Sequence, residues 1–334
     1  MSSKDVLCCS PPLSHCFGLV CGVLATITHG GTVIIPSDVF NPDASLRAIR
    51  EHQCTVIHAV PTMFQAMLDF AAAKGYTNSL RLRTGIIAGS SLSETLLRRL
   101  QAELGLDGLA YAFGMTELSA VSFMTTPAVT SLLDDRSSVG TLLPHTSAKV
   151  VDGDLKALPP GVRGELLVSG YLVFKGYYQN PEKTNEALVF DSQGRRWLRT
   201  GDIVTLSSSG ACTVVGRLKD MIKKGGENIA PRDVEQVLEL HPDILTAAVV
   251  GIPDVRWGET VAAFIDRRVG SEIGSKDVRI WLRGRLAAFK IPEHIFLTGD
   301  GIGVPDQLPV NSSGKILKQE LSSIADRLKN ATEL

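Results

Sequence analysis

Short runs of β-branched residues alternate with longer amphipathic stretches in the first part of the chain, and this alternation limits the possible folds more than any other feature. Residues 32–35 and 55–57 predict buried strands, whereas residues 44–51 and 62–73 predict helices. Parallel strands need crossover connections, which are usually helices. The predicted fold class is therefore α/β, with helices layered on a sheet.

A further helix is predicted over residues 91–104, because its leucines recur with helical spacing. Ser93 is placed to cap its N-terminus. The leucines that share one face of this helix are Leu96, Leu97, Leu100 and Leu104.

The pattern of predicted secondary structure changes after residue 139. Short strands and turns predict a β-rich subdomain, with strands at 148–151, 164–168, 203–206 and 212–215. A compact α+β unit follows, with helices at 231–240 and 276–288, strands at 247–250 and 261–265, and a basic helical tail. We therefore expect a large domain over residues 1–216 and a small C-terminal domain over 217–334, which suits the length of 334 residues.

Charge and composition exclude several classes of protein. With 34 Lys and Arg against 35 Asp and Glu, the chain has no net basic field to attract nucleic acid. Residues 6–37 carry no Asp, Glu, Lys or Arg, but prolines and glycines break the run, and the apolar piece at 16–28 is shorter than the ~20 residues of a membrane span. A buried helix and strand are predicted there.

The six cysteines show no metal-site spacing, which favours reduced thiols and therefore an intracellular protein. The cytoplasm is the simplest compartment, and mitochondria and peroxisomes are left open.

The first of four polar clusters runs from Tyr111 to Glu117. A predicted strand breaks at Gly114, where backbone N–H groups could approach a phosphate. The Thr116 hydroxyl could donate to a phosphate oxygen, and the Glu117 carboxylate could hold Mg²⁺. An ordinary turn is the alternative.

Two further clusters carry glycines beside charged groups. Residues 197–202 are predicted to end a strand at a Gly201-Asp202 turn, where the Asp202 carboxylate could accept hydrogen bonds from both hydroxyls of a ribose. Within residues 216–229, Gly225 and Gly226 could offer amides to a phosphate or a narrow ligand, with Lys223 and Lys224 nearby for charge. A structural turn and a surface hairpin are the respective alternatives.

The fourth cluster, residues 308–315, ends in Gly314-Lys315. It fails the phosphate-binding P-loop pattern, because Pro309 replaces its first glycine and Ile316 its Ser or Thr. Lys315 is therefore predicted to be a loop lysine.

Together, the order and spacing of these clusters resemble the adenylate-forming superfamily, which includes acyl-CoA synthetases, luciferases and peptide-synthetase adenylation domains. Residues 61–64, 138–140, 219–222 and 225–229 look most like the medium-chain fatty acyl-CoA synthetase branch. The motifs that carry the resemblance are Pro12-Leu13-Ser14-His15-x-x-Gly18, Ala88-Gly89-Ser90, Gly114-Met115-Thr116-Glu117, Gly164-Glu165-Leu166, Thr200-Gly201-Asp202, Gly216-Arg217-x-Lys219-Asp220 and Ser313-Gly314-Lys315.

The resemblance implies an ATP-dependent carboxylate:CoA ligase. A carboxylate attacks the α-phosphate of ATP to give acyl-AMP and pyrophosphate, and the thiol of coenzyme A then displaces AMP. The implied partners are ATP or AMP, Mg²⁺, coenzyme A and a medium-chain fatty acid or similar aliphatic acid, including a secondary-metabolite acid.

The resemblance also implies a role for each motif residue. Thr116 would touch the α-phosphate, Glu117 would hold Mg²⁺, and Lys315 would neutralise charge that develops during adenylation. Lys219 would be the hinge of the small domain. The remaining implied residues are Gly89, Ser90, Ser91, Ala112, Phe113 and Gly114 around the nucleotide, Asp202 and Arg217 on the ribose, Lys223, Gly225 and Gly226 along the coenzyme A channel, and His15 and Met115 at the acyl pocket.

The sequence departs from the family in one large respect, because the Ser/Thr/Gly-rich phosphate loop ending in Pro-Lys-Gly is absent. We therefore expect an N-terminally truncated ligase with an exposed apolar interface. Two alternatives are open: a catalytically weak nucleotide- or acyl-CoA-binding remnant, or a subunit that needs an N-terminal partner. A start codon placed inside a longer reading frame would restore the ligase in full.

Overall fold

The structure, a computed structural model, describes residues 1–75, 80–90, 92–128, 133, 137–311 and 315–332. Of the residues selected from the sequence, Ser91 and the Ser313-Gly314 pair lie outside this set. The described chain divides into two compact units. One comprises Met1–Thr200 and Val204–Val214, and the other comprises Gly201–Ile203 and Val215–Leu334.

The first unit is built on a sheet of seven described strands in the order β2-β1-β3-β4-β5-β6-β7. The first five strands in this order run parallel, and β6 and β7 continue the sheet antiparallel. The predicted α/β class is confirmed. The strands are β1 (Val6–Cys9), β2 (Thr32–Ile34), β3 (Val56–Ala59), β4 (Thr84–Ala88), β5 (Gly108–Phe113), β6 (Phe123–Met124) and β7 (Thr141–Leu142).

Helices connect the parallel strands, and local sequence sets their ends. The Asn41 and Ser93 side chains cap α2 and α4 by accepting hydrogen bonds from backbone N–H groups, as predicted for Ser93. Gly75 and Gly105 end α3 and α4 in the left-handed conformation. The helices are a π-helix (Phe17–Leu24) that continues into α1 (Ala25–Thr28), then α2 (Pro42–Glu51), α3 (Pro61–Lys74) and α4 (Glu94–Leu104).

The helix after β1 corrects the expectation of a buried segment. Its small residues face the sheet, since a Cβ on Gly22 would lie 2.6 Å from Cys9 Sγ. Its large aliphatic side chains point outward, and Leu24 and Ile27 are 48% and 60% exposed. No described helix is both long enough and apolar enough to cross a bilayer.

A second sheet forms the predicted β-rich part, in the order β10-β11-β9-β8 with β12 paired to β11. The predicted strand end at Gly201-Asp202 is wrong, because the strand continues to Leu206. Gly201 lies within this strand with a φ of +68°, a conformation that glycine tolerates. The elements are β8 (Thr146–Val151), β9 (Gly164–Gly170), α5 (Pro181–Ala187), β10 (Leu188–Phe190), β11 (Arg196–Leu206) and β12 (Cys212–Arg217).

The second unit packs helices on both faces of its own sheet, in the order β14-β13-β16-β15 with β17 on β16. Successive residues of β15 alternate between two apolar clusters, one shared with α6 and α7 and one with α8. The elements are β13 (Ile222–Lys224), β14 (Glu227–Ile229), α6 (Pro231–Glu239), β15 (Ile244–Asp254), β16 (Gly258–Arg267), α7 (Ser275–Leu282), β17 (His294–Leu297) and α8 (Lys318–Thr332).

The helix predicted over 276–288 ends at Leu282. Arg283 turns to extended backbone, and Gly284 follows with a φ of +79°. Leu286, Ala287 and Ala288 have high helix propensity, but the chain leaves the helix before them.

Candidate active site

The parallel strands of the first unit end at one edge of its sheet, and three of the loops that follow them carry residues selected from the sequence. The strand order β2-β1-β3-β4-β5 reverses direction between β1 and β3, and ligands of such sheets bind beyond the carboxyl ends of the strands at this reversal. The loops after β1, β4 and β5 carry His15, Gly89-Ser90 and Gly114–Glu117, respectively. The topology therefore collects on one edge most of the first-unit residues that the sequence selected.

Side-chain contacts join these loops. The Cys16 thiol donates to the Thr116 hydroxyl across 3.8 Å, which links the loop after β1 to the loop after β5. The Tyr111 hydroxyl donates to the Ser90 carbonyl across 3.1 Å and holds the loop after β4. Gly89 adopts a φ of +94°, which an L side chain rarely does. The sequence analysis selected neither Cys16 nor Tyr111 for a contact role.

The turn after β5 has a close backbone approach at Gly114, since a Cβ there would lie 1.9 Å from the Ala120 carbonyl oxygen. The chain then forms a short 3₁₀ turn over Thr116–Leu118, closed by the Leu118 N–H donating to the Met115 carbonyl. This turn leaves the Thr116 side chain exposed and the Glu117 side chain half-buried. Both are accessible at the strand edge.

The Glu117 carboxylate is held by one side chain. The Tyr177 hydroxyl donates to its Oε1 atom across 2.7 Å. Tyr177 is 40% exposed, and partial desolvation of its hydroxyl, followed by this contact with the carboxylate, raises the pKa of Tyr177 to about 12. Within the described ranges, no hydrogen bond to the second carboxylate oxygen, Oε2, is present. The sequence analysis missed Tyr177.

The donor set at Glu117 fits Mg²⁺ that arrives with phosphates. The described residues contain no group of three or more His, Cys, Asp or Glu side chains that could hold a metal ion by themselves. Mg²⁺ keeps several waters and is usually bound by one or two carboxylates together with substrate phosphates. A single carboxylate with one open oxygen meets that requirement.

The other first-unit residues selected from the sequence differ in their exposure. Ala112 is buried within β5, and Phe113 packs edge-to-face on Phe123 with ring centroids 6.3 Å apart. His15 is exposed, and its Nδ1 atom accepts from the Phe17 N–H across 3.1 Å. Met115 is partly buried against the main core. The adenine and acyl-pocket roles of these residues stay predictions.

In the second unit, Asp202 and Arg217 form an ion pair. Arg217 Nε lies 2.7 Å from Asp202 Oδ1, on the neighbouring strands β11 and β12. Lys315 is accessible to solvent, yet surrounding protein groups desolvate its ammonium and lower its pKa. The positive charge of Arg217 adds to this lowering, and Asp202 opposes it. The structure thus brings Asp202, Arg217 and Lys315 into one electrostatic cluster.

The predicted coenzyme A residues lie on a hairpin between β13 and β14. Gly225 and Gly226 form its two-residue turn with φ values of +58° and +90°, the signs that a type I′ turn requires. A Cβ on Gly225 would lie 2.8 Å from Trp257 Cε3. The hairpin alternative is thus correct as to structure, and the coenzyme A role stays a prediction.

The two lysines of this hairpin differ. Lys223 is exposed, whereas Lys224 is buried and paired with Glu293 across 2.6 Å. The expectation that Lys224 supplies charge to a ligand is therefore wrong. Lys219 lies in a 3₁₀ turn at 218–220 directly after β12, and its hinge role stays a prediction.

Comparison with known proteins shows the family of the chain. The AMP-binding enzyme family matches residues 1–178, and the AMP-binding enzyme C-terminal domain matches residues 233–315. The acyl-CoA ligase sidI of Aspergillus fumigatus is 44% identical over 329 residues, which are 97% of this chain and 55% of the relative. The mitochondrial medium-chain acyl-CoA ligase ACSF2 of Danio rerio is 39% identical over 95% of this chain and 51% of the relative. The chain thus spans about half the length of these curated relatives.

Solved structures agree on the fold. ATP-bound MatB from Rhodopseudomonas palustris has a TM-score of 0.83 and 30% identity, covering 98% of this chain and 61% of that one. The o-succinylbenzoate CoA synthetase MenE of Bacillus subtilis, in complex with its acyl-adenylate intermediate, has a TM-score of 0.79 and 28% identity, covering 96% and 61%. The resemblance drawn from the sequence motifs is confirmed, and the chain belongs to the AMP-binding enzyme family.

Proposed function

We propose that this chain belongs to an ATP-dependent carboxylate:CoA ligase and carries its acyl-adenylate site. The observation that carries the proposal is the placement of Thr116 and Glu117 at the carboxyl edge of a parallel sheet, where Cys16 of the loop after β1 contacts Thr116. The substrate class is a medium-chain fatty acid or a similar aliphatic acid. Relatives named as medium-chain acyl-CoA ligases support this choice.

The chemistry has two steps. A carboxylate oxygen of the acid attacks the α-phosphorus of ATP, the bond to pyrophosphate breaks, and acyl-AMP forms. The thiolate sulfur of coenzyme A then attacks the acyl carbon, and AMP leaves. The first step is needed because a free carboxylate is a poor electrophile until one of its oxygens becomes part of a phosphate leaving group.

The chain's own residues position and stabilise charge. Thr116 would donate its hydroxyl hydrogen to an α-phosphate oxygen, and the Asp202–Arg217 pair would hold the ribose. Lys315 would offset the negative charge that builds on carboxylate and phosphate oxygens during adenylation. Mg²⁺ bound at Glu117 would neutralise phosphate charge.

ATP–pyrophosphate exchange by the purified chain tests the proposal, with Mg²⁺ and carboxylic acids of different length. Exchange that depends on an aliphatic acid is the expected result, and the best acid identifies the substrate class. The proposal would be contradicted if no acid supports exchange and the folded chain also does not bind AMP. A folded chain that binds AMP without exchange would support the binding-remnant alternative.

Lys315→Ala separates the two steps. We expect acyl-AMP formation to fall at least ~100-fold, because one charge-stabilising group is lost, while thioester formation from supplied acyl-AMP is kept. Lys276→Ala, at an exposed lysine of α7, is the matched control and should match the wild type in both assays. An equal loss of acyl-AMP formation and thioester formation in Lys315→Ala would contradict the assigned role.

A further inference from the structure

Tyr177 lies 60 residues from Glu117 in sequence, yet its hydroxyl donates to the Glu117 carboxylate across 2.7 Å. It follows β9 in the irregular segment Leu172–Asn180, which none of the roles above uses. The question is whether this contact serves the fold alone or sets up the carboxylate for a ligand.

The Tyr177 ring is fixed independently of Glu117. Its backbone N–H donates to Thr184 Oγ1 across 2.9 Å, and Thr184 in turn donates to the Asn180 carbonyl. Its ring meets that of Phe174 edge-to-face, with centroids 4.9 Å apart. Gly176 makes this approach possible, since a Cβ there would lie 2.6 Å from Thr184 Cγ2. The hydroxyl is therefore held in place before any ligand binds.

The backbone on the other side of the contact is tied to the same segment. The Phe174 N–H donates to the Glu117 carbonyl across 2.9 Å, and the Ser119 hydroxyl donates to the Leu172 carbonyl across 2.9 Å. Backbone and side chain of Glu117 are thus both held by residues 172–177. A glutamate on an exposed turn would otherwise sample several rotamers.

The Tyr177 contact also involves only one of the two carboxylate oxygens of Glu117. The hydroxyl occupies Oε1, and in the described part of the chain no hydrogen-bond donor reaches Oε2. A purely structural carboxylate in this unit looks different: Glu165 has both oxygens within hydrogen-bond distance of Arg199 and is buried. The arrangement at Glu117 orients a carboxylate and leaves one oxygen open.

We propose that Tyr177 is a positioning residue, which orients Glu117 so that its open oxygen can bind the Mg²⁺ that accompanies ATP. This inference rests on the proposed function, which makes Glu117 the metal ligand. Hydrogen-bond partners of metal ligands fix ligand orientation, and removing them commonly weakens metal affinity 10- to 100-fold. Tyr177 would act through Glu117 and make no contact with the cation itself.

Tyr177→Phe removes only the hydroxyl, and Tyr178→Phe is a matched control at the neighbouring, 90% exposed tyrosine. The measurement is binding of Mn²⁺, as a paramagnetic substitute for Mg²⁺, to the full chain with ATP, by electron paramagnetic resonance. We expect about 10-fold weaker Mn²⁺ binding in Tyr177→Phe and wild-type binding in Tyr178→Phe. Metal-free AMP affinity, measured by calorimetry, should be unchanged in both variants.

Glu117→Gln distinguishes the possible failures. If it loses Mn²⁺ affinity and Tyr177→Phe does not, the metal role stands and the positioning role is overturned. If Tyr177→Phe weakens metal-free AMP binding as much as Mn²⁺ binding, the hydroxyl serves the fold, which also overturns the inference. If the wild type binds no Mn²⁺ with ATP, or Glu117→Gln binds it as the wild type does, the metal role of the proposed function fails and the inference fails with it.

Discussion

Glu117 of the first unit and Glu235 of the second are both glutamates on helical turns, but their surroundings are opposite. Glu235 is buried, and its Oε1 atom accepts from Lys318 Nζ across 2.6 Å and from the Val249 N–H across 2.9 Å. Arg232 lies 4.0 Å from its other oxygen. Glu117 is half-buried, and its carboxylate has a single described donor, Tyr177.

The difference shows how partner number separates structure from function. A buried carboxylate with two donors on one oxygen and an arginine 4.0 Å from the other ties elements together, here α6, β15 and α8 of the second unit. An accessible carboxylate with one oriented oxygen and one open oxygen has capacity left for a ligand.

Glu235→Ala should have the largest effect. It leaves the Lys318 ammonium and the Val249 N–H without their carboxylate acceptor, whereas Arg232 keeps its ion pair with Glu239 at 3.0 Å. Removing one member of a buried ion pair costs about 3–5 kcal/mol in the free energy of unfolding. Urea denaturation at pH 7 measures this loss.

Glu320→Ala is the matched control, since Glu320 is an exposed glutamate of α8. It should change the free energy of unfolding by less than about 1 kcal/mol. An equally small loss in Glu235→Ala would mean that the network does not stabilise the second unit, and the contrast would fail.

Acidification should affect the first unit through His58. This histidine is buried in β3 and stacked on Phe17, and burial lowers its pKa from 6.5 to about 4. Between these two values the unfolded chain binds a proton that the folded chain excludes. Stability is therefore lost as pH falls from 6.5 to 4, by about 3 kcal/mol in total.

Denaturation at several pH values measures this slope, and His58→Gln should flatten it. A separate loss is expected at lower pH from Asp5, whose pKa is held at about 2 by hydrogen bonds from Arg83, Thr55 and Ser2 that outweigh its desolvation. That contribution is present above pH 3.8 and disappears as pH falls towards 2. An unchanged slope in His58→Gln would refute the assignment to His58.

Glu117→Gln should have the smallest effect on stability. The amide keeps the shape of the side chain and can still accept from Tyr177, so the free energy of unfolding should change by less than about 0.5 kcal/mol. The same urea titration checks this. A loss as large as that of Glu235→Ala would place Glu117 among the structural carboxylates and remove the contrast.

Local signals in the sequence predicted much of this architecture. The cap at Ser93, the proline at the start of α6 and the β-branched runs at β2 and β3 are short-range features, and the structure has them. Errors arose where tertiary packing decides the outcome. The helix after β1 turns its small residues to the sheet, and α7 ends before a run of good helix formers.

The candidate site shows the same limit of prediction from local sequence. Motifs selected Thr116, Glu117, Asp202 and Lys315, because spacing along the chain is visible in a sequence. The Tyr177–Glu117 contact joins residues 60 positions apart, and the Cys16–Thr116 contact joins residues 100 apart. Only the parallel strand order and the path of the segment after β9 bring these pairs together. The pairing of Lys224 with Glu293 was hidden for the same reason.

Binding of a non-hydrolysable acyl-adenylate analogue, an acyl-sulfamoyl adenosine with a medium-length chain, tests the central claim most directly. Calorimetric titration of the chain with this analogue and with AMP compares the whole intermediate with its nucleotide alone. The account predicts that both bind and that the analogue binds more tightly, because the acyl group adds contacts. Binding of neither ligand, or equal binding of both, would contradict an acyl-adenylate site on this chain.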